Sequence, residues 1–208
     1  NDVELCYQTF GDAGDDPLLL IMGLGGPMTW WDEDLCAKLA AAGFYVIRYD
    51  NRDTGRSTRI PGKVRRDQLA RAFARGGGRP PYTMSDLGRD AVALLDHLGI
   101  EAAHLVGVSM GGMIAQTVAV EHPGRALSLC SIMSTTGRRT VGWQNPKLLP
   151  MLIAPRRPGR QPYIQTSAAM WKVIGSPGFP TDVDDLREKA GVTYDRGFSA
   201  SGVMRHMM

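Results

Sequence analysis

His104-Leu105-Val106-Gly107-Val108-Ser109-Met110-Gly111-Gly112-Met113-Ile114-Ala115-Gln116 is the stretch that decides the fold. It opens as a short apolar run of the kind that forms a strand covered on both faces. A helix follows from about Met110 to Glu121 and is ended by Pro123. Between them, Gly107-Val108-Ser109-Met110-Gly111 matches G-x-S-x-G, and a strand before with a helix after turns that common pentapeptide into a nucleophile elbow. A turn that sharp forces the Ser109 backbone into a strained region and pushes its hydroxyl into the open. It also brings backbones so close that side chains at 107 and 111 would clash, hence Gly107 and Gly111. The helix starting there directs its free N–H groups and positive dipole end at any oxygen that reacts. The alternative is a glycine-rich turn whose serine only caps the helix.

Working outward, the surrounding segments alternate. Val3–Phe10 alternates loosely and ends at Gly11, which predicts a first strand. Leu18–Met22 is continuously apolar, a second buried strand. Asp32 is placed to cap a helix burying Leu35, Cys36 and Leu39, with Gly43 at its stop, and Phe44–Tyr49 is aromatic and β-branched. Ser85 is placed to cap a helix carrying Leu87, Ala91, Leu94, Leu95 and Leu98 on one face, ended by Gly99. Leu127–Ser134 is one more strand. Strand and helix in alternation predict an α/β architecture, a mostly parallel, doubly wound sheet with right-handed crossovers and a helical cap, its C-terminal strands missing from this sequence. From Gly137 the alternation stops, so residues 1–136 are expected to form the core and 137–208 a helical cap.

Met22-Gly23-Leu24-Gly25-Gly26 follows the second strand. Acyl transfer needs two donors aimed at the negative charge of the tetrahedral intermediate, usually backbone N–H groups. One comes from the residue after the nucleophile, Met110, and the other from this loop, where Leu24 is the expected donor. Gly23 and Gly25 on either side let the loop approach a substrate. The glycine cluster alone is weak; beside the elbow it is strong.

Composition sets the outer limits. The chain has 208 residues, 43% hydrophobic and 22% charged, ordinary for one sizeable globular domain. Net charge is +3, and the basic excess is concentrated between Lys63 and Arg79, where Lys63, Arg65, Arg66, Arg71, Arg75 and Arg79 face one acid, Asp67. That stretch lacks the interleaved aromatics of a nucleic-acid surface and reads as a solvated loop. Cys6, Cys36 and Cys130 are widely spaced among apolar neighbours and read as buried free thiols of a reducing compartment. No pair has metal-ligand spacing, so no metal or cofactor is expected. No apolar run is long enough to span a bilayer, and the cytoplasm is the default.

Three segments carry a resemblance. Tyr49-Asp50-Asn51-Arg52-Asp53-Thr54-Gly55-Arg56-Ser57 resembles the D-x-R-D-x-G-x-S loop after the fourth strand of bacterial α/β-hydrolase esterases. Gly107–Gln116 and Ser131-Ile132-Met133-Ser134-Thr135-Thr136-Gly137 are similar to the same group, and the nearest subfamily is the aclacinomycin methylesterase type. The resemblance implies the α/β-hydrolase fold and a serine hydrolase that cleaves carboxylic esters through an acyl-enzyme on Ser109. It implies a small-molecule ester as partner, and a methyl ester of a bulky polyketide-like acid is one candidate. Asp50 and Arg52 are better read as loop-holding than catalytic. Where many relatives have His-Gly in the oxyanion loop, this sequence has Met22-Gly23; the donor is backbone, so little changes. Perhydrolase or haloperoxidase and Pro-iminopeptidase activities use the same constellation, and a non-catalytic ligand-binding member of the fold is the rival from another class. Epoxide hydrolases and haloalkane dehalogenases need a carboxylate where Ser109 stands.

A serine hydroxyl needs a histidine to take its proton and an acid to orient that histidine. The family pattern places the acid after the seventh strand and the histidine after the eighth, and neither strand is found in this sequence. His97, His104, His122 and His206 all read as structural. The expectation is therefore that a downstream segment beyond Met208, or a second chain, supplies the last two strands with acid and base. Without them, the strand at Leu127–Ser134 would be an exposed apolar edge. Trp143, Met151, Met170, Trp171, Met204, Met207 and Met208 make the 137–208 region rich in large soft side chains, suited to a pliable lid over an apolar or aromatic substrate or simply to packing.

Overall fold

The computed structural model describes residues 2–75, 79–138, 141, 157–176, 178–179 and 182–208. Its sheet contains β1 (Tyr7–Phe10), β2 (Asp16–Ile21), β3 (Phe44–Tyr49), β4 (Ala103–Val108) and β5 (Ala126–Ile132) in the order β1-β3-β2-β4-β5. All neighbours pair in parallel except β1 with β3. The helices among these strands are α1 (Glu33–Ala41), α2 (Arg66–Arg75), α3 (Met84–His97) and α4 (Met110–Glu121).

Side chains alternate across a strand, so the apolar runs of β2, β3 and β4 supply two faces at once. Leu19, Ile21, Ile47, Tyr49 and Leu105 point to one side, where α3 brings Leu87, Ala91, Leu94 and Leu95 and α4 brings Ile114, Ala115 and Val118. Leu18, Leu20 and Val46 point to the other, against Cys36 of α1 and Trp31. The sheet is thus wound on both faces, the expected architecture.

After β5 come α5 (Arg160–Ile174), α6 (Val183–Asp195) and α7 (Ala200–His206). α5 packs on α6 through Tyr163, Ile164 and Ala190. Two ion pairs tie the end of α6 and α7 to the loop after β3. Arg196 bonds the Asp50 carboxylate at 2.9 Å, and Arg205 grips Asp53 with two bonds of 2.7 and 2.5 Å. A third pair, Arg52 with Asp90 at 2.6 Å through both oxygens, ties the same loop to α3. All six side chains are 10% exposed or less, so water does little to screen them, and losing one partner strands a buried charge. Trp30 adds a hydrogen bond to Thr193 and an edge contact with Trp171.

Several local expectations change. The first strand is only Tyr7–Phe10, because Glu4 and Cys6 spend their backbone groups on Thr58, Ser57 and Asp50 of the neighbouring loop. Asp32 occupies the N-cap of α1 without a side-chain cap bond; its carboxylate faces Lys189 instead, and Leu35 lies 42% exposed. Thr83, not Ser85, caps α3, in a reciprocal capping box with Asp86, while Ser85 bonds Glu121. The basic stretch is helical over Arg66–Arg75, with Asp67 paired to Arg65 and Arg71. Only Cys36 is buried; Cys6 is half-buried and Cys130 exposed, all three free thiols. Cys130 is open because β5 is the sheet edge, where Leu127, Leu129 and Ile132 are exposed as well. Trp143 and Met151 lie outside the described residues. Among the described residues, no helix is long and apolar enough to cross a membrane.

Two stability tests arise from the buried charges. Burial pushes the Asp53 carboxyl up, but bonds from Arg205, Tyr82 and the Ile60 N–H outweigh it and hold it below the ordinary value of 3.8. That stabilisation is present above the unfolded value and is lost as pH falls through the folded one. Arg205→Met, which leaves Asp53 buried and unpaired, is expected to cost about 3–5 kcal/mol in a denaturant melt at pH 7. The deficit should shrink as pH falls, starting above the ordinary carboxylate value because burial raises the pKa of an unpaired Asp53; a pH-independent deficit would contradict the pairing. His206 differs in sign of charge but not in direction. Its Nε2 meets the Arg52 carbonyl at 2.8 Å and so carries the proton, while Nδ1 is buried with no partner. Burial lowers its pKa below 6.5; the Arg52 carbonyl and Asp53 pull it up, and Arg205 and Arg52 push it down. Below pH 6.5 the unfolded chain takes a proton that the folded one refuses, so stability falls, by at most about 1.4 kcal/mol per pH unit. His206→Gln should flatten the Tm profile between pH 7 and 5; profiles that stay parallel would rule this out.

Candidate active site

β4 ends at Val108 and α4 begins at Met110, leaving Ser109 alone to make the turn. Its backbone sits at φ 57 and ψ −120, a region closed to residues with a Cβ unless the surroundings enforce it. The enforcement is visible. The Ser109 N–H donates to the Ile132 carbonyl at 2.8 Å, and the Ser109 carbonyl accepts from the Gly112 and Met113 N–H groups and from Ser134 Oγ. Ser109 stands at the N-cap of α4 but makes no side-chain cap bond, so the capping alternative fails. The residue is half-buried, and among the described residues its hydroxyl has no hydrogen-bond partner.

The predicted glycines sit where backbones meet. A Cβ on Gly107 would lie 2.2 Å from the Gly111 carbonyl oxygen, and one on Gly111 would lie 2.1 Å from that of Ile21. Both are far inside contact distance, so β2, β4 and α4 converge only because these positions lack side chains. A Cβ on Gly23 would lie 2.8 Å from the Val108 carbonyl oxygen, 3.0 Å from Ser109 Cβ and 3.6 Å from the Met110 nitrogen. The Met22–Gly26 segment is therefore packed directly against the serine turn. Gly25, at φ 63, lies under Val203 of α7. Among the described residues, neither the Leu24 nor the Met110 N–H donates a backbone hydrogen bond. Met110 is the first residue of α4, where an N–H has no partner within the helix.

The loop after β3 holds the Met22–Met28 segment from below. Asn51 donates through Nδ2 to the Met22 carbonyl at 2.9 Å, and Asp50 Oδ1 accepts the Met28 N–H at 2.7 Å. Asp50 and Arg52 are thus loop-holding groups committed to ion pairs, Asp50 with Arg196 and Arg52 with Asp90. Asn51 and Ser134 were not singled out by sequence reasoning. Beyond its place in the Ser131–Gly137 segment, the signal for Ser134 is the glycine that follows the elbow, Gly112, where an added Cβ would lie 2.6 Å from Ser134 Cβ.

None of the histidines meets Ser109. His104 is the second residue of β4, five residues before the turn, and its Nδ1 pairs with Ser128. His122 follows the far end of α4, about 18 Å along a twelve-residue helix. His97 ends α3 with its ring against Tyr7, and His206 is occupied by Arg52 and Tyr82. Among the described residues, no group of three or more His, Cys, Asp or Glu side chains could hold a metal ion.

Comparison with known proteins identifies the fold. The family described as alpha/beta hydrolase fold matches residues 16–161. Rhodomycin D methylesterase of Streptomyces sp. strain C5 is 31% identical over 208 aligned residues, covering 91% of this chain and 65% of that protein. The 3-oxoadipate enol-lactonase 2 of Acinetobacter baylyi is 31% identical over 201, covering 97% and 65%. The chain therefore spans about two thirds of the length of these curated relatives. The crystal structure of a hydrolase from Pseudomonas aeruginosa PA01 superposes with a TM-score of 0.65 at 22% identity, over 99% of this chain and 67% of that one. With its parallel sheet, its serine at a strained strand-to-helix turn and this match over most of its length, the chain belongs to the alpha/beta hydrolase fold family.

Proposed function

We propose that the protein is a serine hydrolase of carboxylic esters, with Ser109 as nucleophile. The observation that carries the reading is a serine on a strained turn whose hydroxyl, like the Leu24 and Met110 N–H groups beside it, has no hydrogen-bond partner among the described residues. Ser109 Oγ attacks the ester carbonyl carbon and gives its proton to a base. The carbonyl oxygen becomes an oxyanion held by the Leu24 and Met110 N–H groups, helped by the positive end of α4. The ester C–O bond then breaks, the alcohol leaves with the proton, and water cleaves the acyl-enzyme to release the acid. Gly23, Gly107 and Gly111 let loop and elbow meet, while Gly25 turns the loop at φ 63 under Val203.

The relatives named as a methylesterase and an enol-lactonase both act, by those names, on acyl–oxygen bonds, which supports an ester as substrate class. Residues 137–208 act as a helical cap in this reading. The half-buried Met170, Trp171 and Met204 among them favour an apolar or aromatic ester. Because His97, His104, His122 and His206 are engaged or distant, base and acid come from outside residues 1–208. A downstream segment or a second chain is the proposed source, its strands pairing with the open edge of β5, whose Leu127, Leu129 and Ile132 lie bare.

In the full-length gene product, a fluorophosphonate probe is expected to label the wild type and not Ser109→Ala, and p-nitrophenyl butyrate hydrolysis should vanish in the same variant. Residues 1–208 alone should turn over the ester at least about a thousand-fold more slowly, since oxyanion and binding contributions are all that remain. Labelling that persists in Ser109→Ala would overturn the nucleophile. A full-length protein that neither labels nor hydrolyses would instead favour a ligand-binding member of the fold.

A further inference from the structure

We propose that Ser134 is a positioning residue for the Met110 amide; the inference rests on the reading of Ser109 and Met110 given above. The Ser109 carbonyl and the Met110 N–H belong to one peptide group, which is planar and trans, so they point in opposite directions. Whatever fixes the carbonyl therefore fixes the aim of the N–H. Among the described residues, three donors reach that carbonyl: Ser134 Oγ at 2.7 Å, the Gly112 N–H at 3.0 Å and the Met113 N–H at 3.3 Å. The last two belong to α4 and turn with the peptide they hold. Ser134 lies after β5, on a separate segment, and supplies a reference point outside the elbow.

The segment carrying Ser134 is itself braced. Ile132 accepts the Ser109 N–H at 2.8 Å, so the turn is clamped on both sides of Ser109 by residues two apart in sequence. Met133 between them has φ 50, the left-handed conformation that brings the Ile132 carbonyl and the Ser134 hydroxyl to bear on the same residue. Gln116 of α4 bonds Ser131 Oγ at 3.1 Å and the Thr135 carbonyl at 3.3 Å, fastening the segment on either side. Gly112 leaves the room: a Cβ there would lie 2.6 Å from Ser134 Cβ and 2.7 Å from its Oγ. A single hydroxyl proton is given to one carbonyl, with no other acceptor for it among the described residues. Such a bond acts on catalysis through orientation, because an oxyanion donor works only when it is already aimed.

The test uses the full-length gene product with p-nitrophenyl butyrate as substrate and phenylboronic acid as a tetrahedral-adduct analogue. Ser134→Ala is expected to lower kcat about ten-fold with KM held within about two-fold, and to weaken phenylboronic acid binding in parallel, as loss of aim rather than of substrate binding requires. Ser134→Thr, which keeps the hydroxyl, should recover most of kcat. Gly112→Ala, which pushes Ser134 aside from the opposite direction, should reproduce the Ser134→Ala pattern. Unchanged kcat and boronate affinity per active site in Ser134→Ala, with only a lower Tm, would overturn the proposal while leaving Ser109 as nucleophile. Turnover surviving in Ser109→Ala would overturn the nucleophile and this proposal together.

Discussion

The rest of the structure depends on a near-contact of backbones where β2, β4 and α4 converge. Gly111 rests on the Ile21 carbonyl, Gly107 on the Gly111 carbonyl and Gly23 on the Val108 carbonyl, each closer than a side chain permits. That convergence compresses the passage from strand to helix into one residue, and Ser109 absorbs the strain at φ 57 and ψ −120. A conformation like this costs on the order of 1–3 kcal/mol and persists only where surrounding bonds over-determine it. Here they do, through Ile132, Ser134 and the first turn of α4. The same crowding brings the Leu24 loop to the serine. Strain at Ser109 and the close approach of the Met22–Gly26 segment are thus two results of one packing arrangement.

A second layer of order comes from charge. The loop after β3 carries Asp50, Arg52 and Asp53, and each is neutralised by a buried partner on a different helix or its flank: Arg196 after α6, Asp90 on α3 and Arg205 on α7. Ion pairs of this type contribute little net stability over apolar packing, because both charges lose their water. Their contribution is register. A rigid guanidinium fork fits one placement of each carboxylate, so α7 can seat Val203 over Gly25 in only one way. The loop also holds Met22 and Met28 through Asn51 and Asp50, so the placement of the late helices and of the Leu24 segment is fixed by the same few residues.

What the sequence disclosed and what it hid divide along a physical line. The strand, turn and helix around Ser109 were legible to the residue at the helix, Met110–Glu121, because glycine, serine and proline constrain backbone locally. The buried parallel strands were legible because both faces are apolar, which leaves a continuous run. Thr83 was hidden behind the nearer Ser85, although Thr83 and Asp86 carry the capping-box spacing. Leu35 and Cys130 were misplaced because apolar neighbours say nothing about which helix face or sheet edge is covered. The basic stretch reads as a loop from its charge alone, yet Asp67 pairs with Arg65 and Arg71 on a helix. Least legible were contacts between distant positions: Arg196 and Arg205 find acids 146 and 152 residues away, and Ser134 finds a carbonyl 25 residues back. No spacing rule anticipates those; they exist only once the sheet has formed.

The most direct measurement is a crystal structure of the full-length protein after reaction with a small alkyl fluorophosphonate. Phosphorus bonded to Ser109 Oγ, with the phosphonyl oxygen about 2.7–3.1 Å from both the Leu24 and Met110 nitrogens, is the expected result. Phosphorus on another residue, or a phosphonyl oxygen turned away from both amides, would contradict the account at its root.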